Sequence, residues 1–358
     1  ISKRHPSETS FQRSAFAMFR PPPKNLVVSR QQLYHKCRKR FPGGCKRLPH
    51  LNLHTAIGSY GHTVPLKIGN IVSEKLAFEH VEVNPVTAIF RRMVRGLEFD
   101  VSEMAFSTYL CSRAYRQAFT ALPIFLTRRF HQGAISYNTN SGIQSPTDLE
   151  GKRVGVRGYT VTTGVWVRGI LSSVYGVNLD NVTWVLSGDE HVAAYVAPSN
   201  VESSENGDLG AMLASGEIDA AIGAPATDSP DIKPLIPNTR AAGAEYFRTT
   251  GIYPINHTVV VKDELLDSNP WLAEELFSLF SSAKQSYLAS LRSGNRDLTS
   301  ADQALLDTAE IVGDDPLPYG YDSARETLET LIQFCVDQQL IPERVDSESV
   351  FAPSTLKL

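Results

Sequence analysis

No stretch of apolar residues in this chain approaches the roughly 20 that a membrane-crossing helix needs, so the sequence offers no membrane span. Cysteine is scarce as well: Cys37, Cys45, Cys111 and Cys335 are the four in 358 residues, and none stands in CxxC spacing. That supports neither a disulfide framework nor a zinc site, and fits reduced thiols in a cytosolic protein. There is no GxSxG elbow, no phosphate-binding loop of the P-loop type and no dinucleotide fingerprint. Internal repeats and low-complexity tracts are absent, as is the apolar core of a secretory signal. What is present is an ordinary globular composition, 42% hydrophobic and 20% charged, in a length sufficient for two domains or one large one.

Acidic residues are nearly missing from one region. Residues 1–50 carry twelve Lys and Arg against Glu8 alone, a net +11; the chain's total of −3 therefore leaves −14 for residues 51–358. With Pro21-Pro22-Pro23, Gly43-Gly44 and little apolar periodicity, this leader is expected to lie outside the folded core. It has the Arg-rich, acid-poor look of an organelle presequence. Lys36–Arg40 could in principle meet nucleic acid, but no helix or aromatic interleaving supports that. Because the chain begins with Ile1, the favoured reading is upstream sequence from an over-extended gene model.

The stretch 145–171 organises the rest. Ser145-Pro146-Thr147-Asp148-Leu149 reads as a capped turn, and Arg153-Val154-Gly155-Val156 as a short strand. Gly158-Tyr159-Thr160-Val161-Thr162-Thr163 then feeds a helix carrying Val165, Trp166, Ile170 and Leu171. A strand that ends in a Gly/Thr loop before a helix presents free N–H groups and hydroxyls to an anion, so Thr160, Thr162 and Thr163 are candidates to hold a small carboxylate. The plain alternative is a βα turn whose threonines only cap the helix.

Strands are expected at 51–57, 76–83, 99–105, 122–125, 133–137, 182–185, 216–222 and 251–262. Helices are expected from Asn84-Pro85 to about Gly96, over 107–119, 209–215, from Asn269 to about Leu291, and over 322–340; 187–207 and 225–240 read as loops. This β/α alternation predicts an α/β fold with mostly parallel sheets.

Several of these stretches carry a resemblance. Ile143–Val156 looks like the start of the second lobe of a type II periplasmic-binding-protein fold, and Leu213–Ala220 resembles the helix–strand step late in that lobe. More specifically, residues 51–290 resemble the 4,5-dihydroxyphthalate decarboxylase family. The matching stretches are Glu98–Met104, Thr127–His131, the 151–170 block with Trp166, and Gly251–His257. Two loops, 59–64 and 187–200, depart from the family pattern. The resemblance implies a two-lobed fold, each lobe a mostly parallel sheet flanked by helices, with a ligand cleft between them. Residues 51–144 and 246–358 would form lobe 1, and 145–245 lobe 2.

It also implies decarboxylation of a hydroxylated aromatic dicarboxylate, which needs a carboxylate cradle, a base for a ring hydroxyl and an acid for the ipso carbon. Arg129, ahead of its neighbour Arg128, is the candidate carboxylate holder, since a guanidinium offers a bidentate fork. His131, His257 and His62 are the proton-transfer candidates. Glu103, in a strand that reads as buried, is either the base or the partner that orients a histidine or arginine. Tyr60 and Tyr253 would stack on or hydrogen-bond the ring, while His54 and Asp100 read as structural. No His/Asp/Glu grouping has metal-ligand spacing, and neither a metal nor a cofactor is expected. The expected partner is a small aromatic carboxylate, with no nucleic acid and no membrane; a homo-oligomer stays open. The rival function is a non-catalytic solute-binding protein that captures a small carboxylate or amine.

Overall fold

The computed structural model describes residues 50–294 and 297–358; the basic leader up to residue 49 lies outside the described residues. Among the described residues the first strand is β1 (Leu51–Ala56), whose alternation buries Leu53 and exposes Asn52. There follow β2 (Leu76–His80), β3 (Val101–Ala105) and β4 (Phe119–Arg128). Next come β5 (Ile135–Asn138), β6 (Arg153–Val156), β7 (Thr183–Leu186), β8 (Val201–Ser203), β9 (Ala220–Ile222) and β10 (Ile232–Pro234), and finally β11 (Ile255–Lys262).

These strands form two sheets, ordered β2-β1-β3-β11-β4 and β10-β5-β9-β6-β7-β8. In the first, β1 pairs in parallel with β2 and β3, while β11 runs antiparallel to β3 and β4. In the second, β6 is parallel to β7 and β9, and β5 is antiparallel to β9 and β10. Helices flank both, and the architecture is the two-lobed, periplasmic-binding-protein-like α/β fold that the sequence leads one to expect. The sheets are mixed: β11 and β5, each of which follows a strand of the other sheet, run antiparallel to both of their neighbours.

Strand pairing also moves a boundary. Ile135–Asn138, expected in lobe 1, hydrogen-bonds with β9 and β10, so the chain reaches the second sheet between Arg128 and Ile135 and not at 145. It returns between Pro234 and Ile255. The two crossings lie side by side: Ile255 pairs with Arg128, and the Arg129 N–H donates to the Pro254 carbonyl at 3.1 Å.

Helix limits follow local chemistry. Thr162–Tyr175 stops at Gly176, which takes φ 73°, a left-handed conformation that glycine adopts without strain. Asp208 caps Leu209–Ser215 by accepting from the N–H groups of Gly210 and Ala211. Leu272–Arg292 has Glu274 and Glu275 in its first turn and Arg292 in its last, matching the helix dipole. Helix Arg325–Asp337 packs against both Phe106–Ala114 and Thr162–Tyr175; the Phe334 ring lies so close to Gly169 that a Cβ there would collide with it. One apolar cluster therefore runs through both halves, from Phe90 and Phe99 to Trp166, Trp184 and Phe334. The expected single loop over 187–207 contains β8, and the loop expected at 225–240 contains β10 and the start of helix Thr239–Thr250. Among the described residues no helix is long and apolar enough to cross a membrane.

Candidate active site

Glu103 occupies the middle of β3, a strand whose five residues are all buried, and is itself fully buried. A lone carboxylate there would be costly. Three donors answer it: His257 Nδ1 and the Tyr60 hydroxyl each lie 2.6 Å from Oε1, and the Gly58 N–H lies 2.8 Å from Oε2. Burial pushes the Glu103 carboxyl up, but the His257, Tyr60 and Gly58 hydrogen bonds outweigh it and hold the group below its ordinary value. An ionised carboxylate only accepts. Tyr60 therefore keeps its proton, and its phenol is raised well above the usual range by burial and by the Glu103 charge. By the same logic His257 carries a proton on Nδ1, so Nε2 is the ring nitrogen left to take up or release one. Gly58 is required in this corner because a Cβ would come within 2.7 Å of the Tyr60 ring.

A second group assembles where the crossings meet. Arg129, exposed, donates from its terminal nitrogen to Thr163 Oγ1 at 3.2 Å. Asn256 Nδ2 donates to the same oxygen at 3.3 Å, and Asn256 Oδ1 lies 2.8 Å from His131 Nε2. The charge of Arg129 acts on both Tyr60 and His131, so the two groups are neighbours. Asn256 was not among the expected residues. Strict alternation along β11 would turn it away from the face of its neighbour His257. The ladder to β4, however, runs from Ile255–Arg128 directly to His257–Thr127, leaving Asn256 as an unpaired bulge residue.

Other candidates fall elsewhere. Tyr253 is buried with its hydroxyl on the carbonyls of Arg128 and Pro316, so it does not face a ring-binding site. Arg128 lies across the Tyr253 ring and donates to the Tyr253 carbonyl, which makes it a bracket between the crossings. The Thr160 hydroxyl donates to Glu190 at 2.5 Å, and Thr162 Oγ1 meets the Ser107 hydroxyl at 2.9 Å. Of the three threonines, Thr163 alone reaches Arg129. His62 is buried and stacked on Tyr60, and burial pushes its imidazole down to about 4. His131, stacked on Trp166, is pushed down to about 3 by burial and by Arg129. Both are therefore neutral near pH 7 and cannot serve there as cationic proton donors. Asp100 accepts from the His54 N–H and from Lys262, and the His54 ring lies 3.2 Å from the Glu98 carbonyl.

The loop after β7 supplies the second notable carboxylate. Glu190 accepts from the N–H groups of Tyr159 and Thr160 and from the Thr160 hydroxyl, filling the anion cradle expected for a substrate. The loop is tied to helix Thr87–Gly96 by Arg91 on the Asp189 carbonyl (3.1 Å) and Arg95 on the Glu190 carbonyl (2.7 Å). The buried His191 ring meets Phe90, which also packs edge-on against His257. Two surface hollows of about 560 and 520 Å³ are lined by none of the Glu103 or Arg129 groups. Among the described residues no group of three or more His, Cys, Asp and Glu is arranged to hold a metal ion.

No family model matches the chain. It is 28% identical over 324 residues to the 4,5-dihydroxyphthalate decarboxylase of Comamonas testosteroni, covering 86% of this chain and 98% of that one. It is 32% identical over 214 residues to the enzyme of the same name from Pseudomonas putida, covering 55% of this chain and 82% of that one. Among solved structures, a protein from Bordetella bronchiseptica superposes with a TM-score of 0.51 at 17% identity, over 85% of this chain and 93% of that chain, which is a likeness of fold alone. With four-fifths of a relative matched at this identity, and with the Glu103, Arg129 and His257 stretches that first suggested the resemblance gathered at one site, the chain belongs to the 4,5-dihydroxyphthalate decarboxylase family.

Proposed function

We propose that this protein removes one carboxylate of 4,5-dihydroxyphthalate, or of a close hydroxylated aromatic dicarboxylate, as CO2, leaving 3,4-dihydroxybenzoate. The observation that carries the reading is the buried Glu103–His257 pair, 2.6 Å apart, beside the exposed guanidinium of Arg129 in a chain of this family. Arg129 and the Thr163 hydroxyl hold a carboxylate of the substrate. His257 Nε2 takes the proton of the ring hydroxyl para to the departing carboxylate, and Glu103 stabilises the imidazolium that forms. The phenolate pushes its electron pair into the ring, and the ipso carbon takes up a proton from the imidazolium or from water. The carbon–carbon bond then breaks, CO2 leaves, and its electron pair restores the aromatic ring. The net change is one CO2 lost and one proton gained, which calls for no electron acceptor. Tyr60 keeps Glu103 fixed on the His257 side.

The test is turnover by the full chain on 4,5-dihydroxyphthalate, with and without a chelator, following CO2 release and 3,4-dihydroxybenzoate. Chelator-resistant turnover is expected. Saturable binding without turnover would instead favour a solute-binding protein, and neither binding nor turnover would assign the site to another ligand.

A further inference from the structure

Asn256 holds the two ends of the second group together through defined atoms. Its amide nitrogen donates to Thr163 Oγ1, the oxygen that also receives Arg129, and its carbonyl oxygen faces His131 Nε2 and accepts from it. His131 is thereby fixed as the Nε2–H tautomer, and its Nδ1 is buried with no partner among the described residues. Both acceptor positions of the Thr163 hydroxyl are filled, by Arg129 and by Asn256, and among the described residues no acceptor takes its proton. Thr163 is half-buried at the first turn of helix Thr162–Tyr175, so this proton adds to the positive end of the helix dipole.

We infer that Asn256 is a positioning residue that turns the Thr163 hydroxyl into an obligate donor beside Arg129, so that the pair selects an anionic oxygen over a neutral one. Asn256 sits at the irregularity in β11, unpaired where the ladder to β4 steps from Ile255–Arg128 to His257–Thr127. Asn256 comes from a strand of the first sheet and Thr163 from a helix that follows a strand of the second, so their bond also registers one half against the other. The inference rests on the proposed role of Arg129 and Thr163 as carboxylate holders.

The experiment uses the full chain and phthalate, which lacks the ring hydroxyls and so reports binding without turnover. Thr163→Val and Asn256→Ala are each expected to weaken phthalate about tenfold, the value of one hydrogen bond to a charged group. The double variant should bind no more weakly than Thr163→Val alone; additive losses would overturn the inference. Thr163→Ser, which keeps the hydroxyl, should retain most of the affinity, and keeps the test open if Asn256→Ala does not fold. Nitrogen NMR of His131 supplies a readout that needs no ligand. The wild type should show a protonated Nε2, and Asn256→Asp should raise the titration of His131 from about 3 by placing a carboxylate on it. An Nδ1–H tautomer or an unmoved titration would sink the proposal. If Arg129→Ala leaves phthalate binding intact, the carboxylate-holder reading fails on its own, while the His131 titration still decides the Asn256 link.

Discussion

Two carboxylates, Glu103 and Glu190, each gather three donors in this protein, yet they are different kinds of group. Glu103 lies fully buried in a central strand, and two of its three donors, His257 and Tyr60, are themselves titratable. Glu190 lies half-exposed in a loop, and its donors are two backbone N–H groups and a threonine hydroxyl. The first arrangement joins a buried carboxylate to two side chains that can themselves exchange protons. The second ties a loop across a strand–helix turn, with Arg91 and Arg95 securing the other side. Counting hydrogen bonds on a carboxylate therefore says little about its use; what its donors can release says more.

Removing the negative charge from each carboxylate would test the contrast most strongly. Glu103→Gln should lower kcat by about 10²–10⁴-fold with a much smaller change in KM, because the imidazolium of His257 loses its counter-charge. Steady-state kinetics checks this, and a kcat within a few-fold of wild type would remove Glu103 from the proton pathway. A pH titration of stability sharpens the picture of the surroundings. His62 beside Tyr60, His131 beside Asn256 and His191 in the Glu190 loop are pushed down to about 4, 3 and 3, chiefly by burial. In the unfolded chain the same imidazoles titrate near 6.5. Below that pH the unfolded state binds more protons than the folded one, so stability is complete above about pH 6.5 and is lost as pH falls toward the folded values. Denaturant unfolding at pH 7 and pH 5 should show a clear loss involving up to three protons; equal stability at the two would contradict neutral burial of these rings. The smallest effect is expected for Glu190→Gln, which should cost about 1–2 kcal/mol of stability and leave kcat within a few-fold. A loss of turnover like that of Glu103→Gln would abolish the distinction.

Local pattern carried much of the architecture. β1 and β6 form where alternation and β-branched residues indicate them, and helix Leu209–Ser215 forms over the residues expected, because each is decided within a few residues. Short edge strands such as Val201–Ser203 and Ile232–Pro234 are invisible in sequence, since three residues show no period and their formation depends on the neighbour they pair with. The site divides in the same way. Glu103, His257, Arg129 and Tyr60 stood out as polar groups in apolar or motif-like settings, and they do converge. Thr160, Thr162 and Tyr253 stood out equally, but distant residues take them up: Glu190, Ser107 and the carbonyls of Arg128 and Pro316.

The sequence by itself determined the alternation of strands and helices, the buried setting of β3 and the residues able to carry charge or protons. Tertiary structure alone decided which of them meet. Glu103 is 154 residues from His257 and 43 from Tyr60, and only the antiparallel pairing of β11 with β3 and the return of the first loop bring all three together. Asn256 is the sharpest case: it is left unpaired where the ladder to β4 steps from Ile255–Arg128 to His257–Thr127, a register that no local pattern announces. Side-chain chemistry is a local property, whereas register belongs to pairs of strands, which is why one could be read along the chain and the other could not.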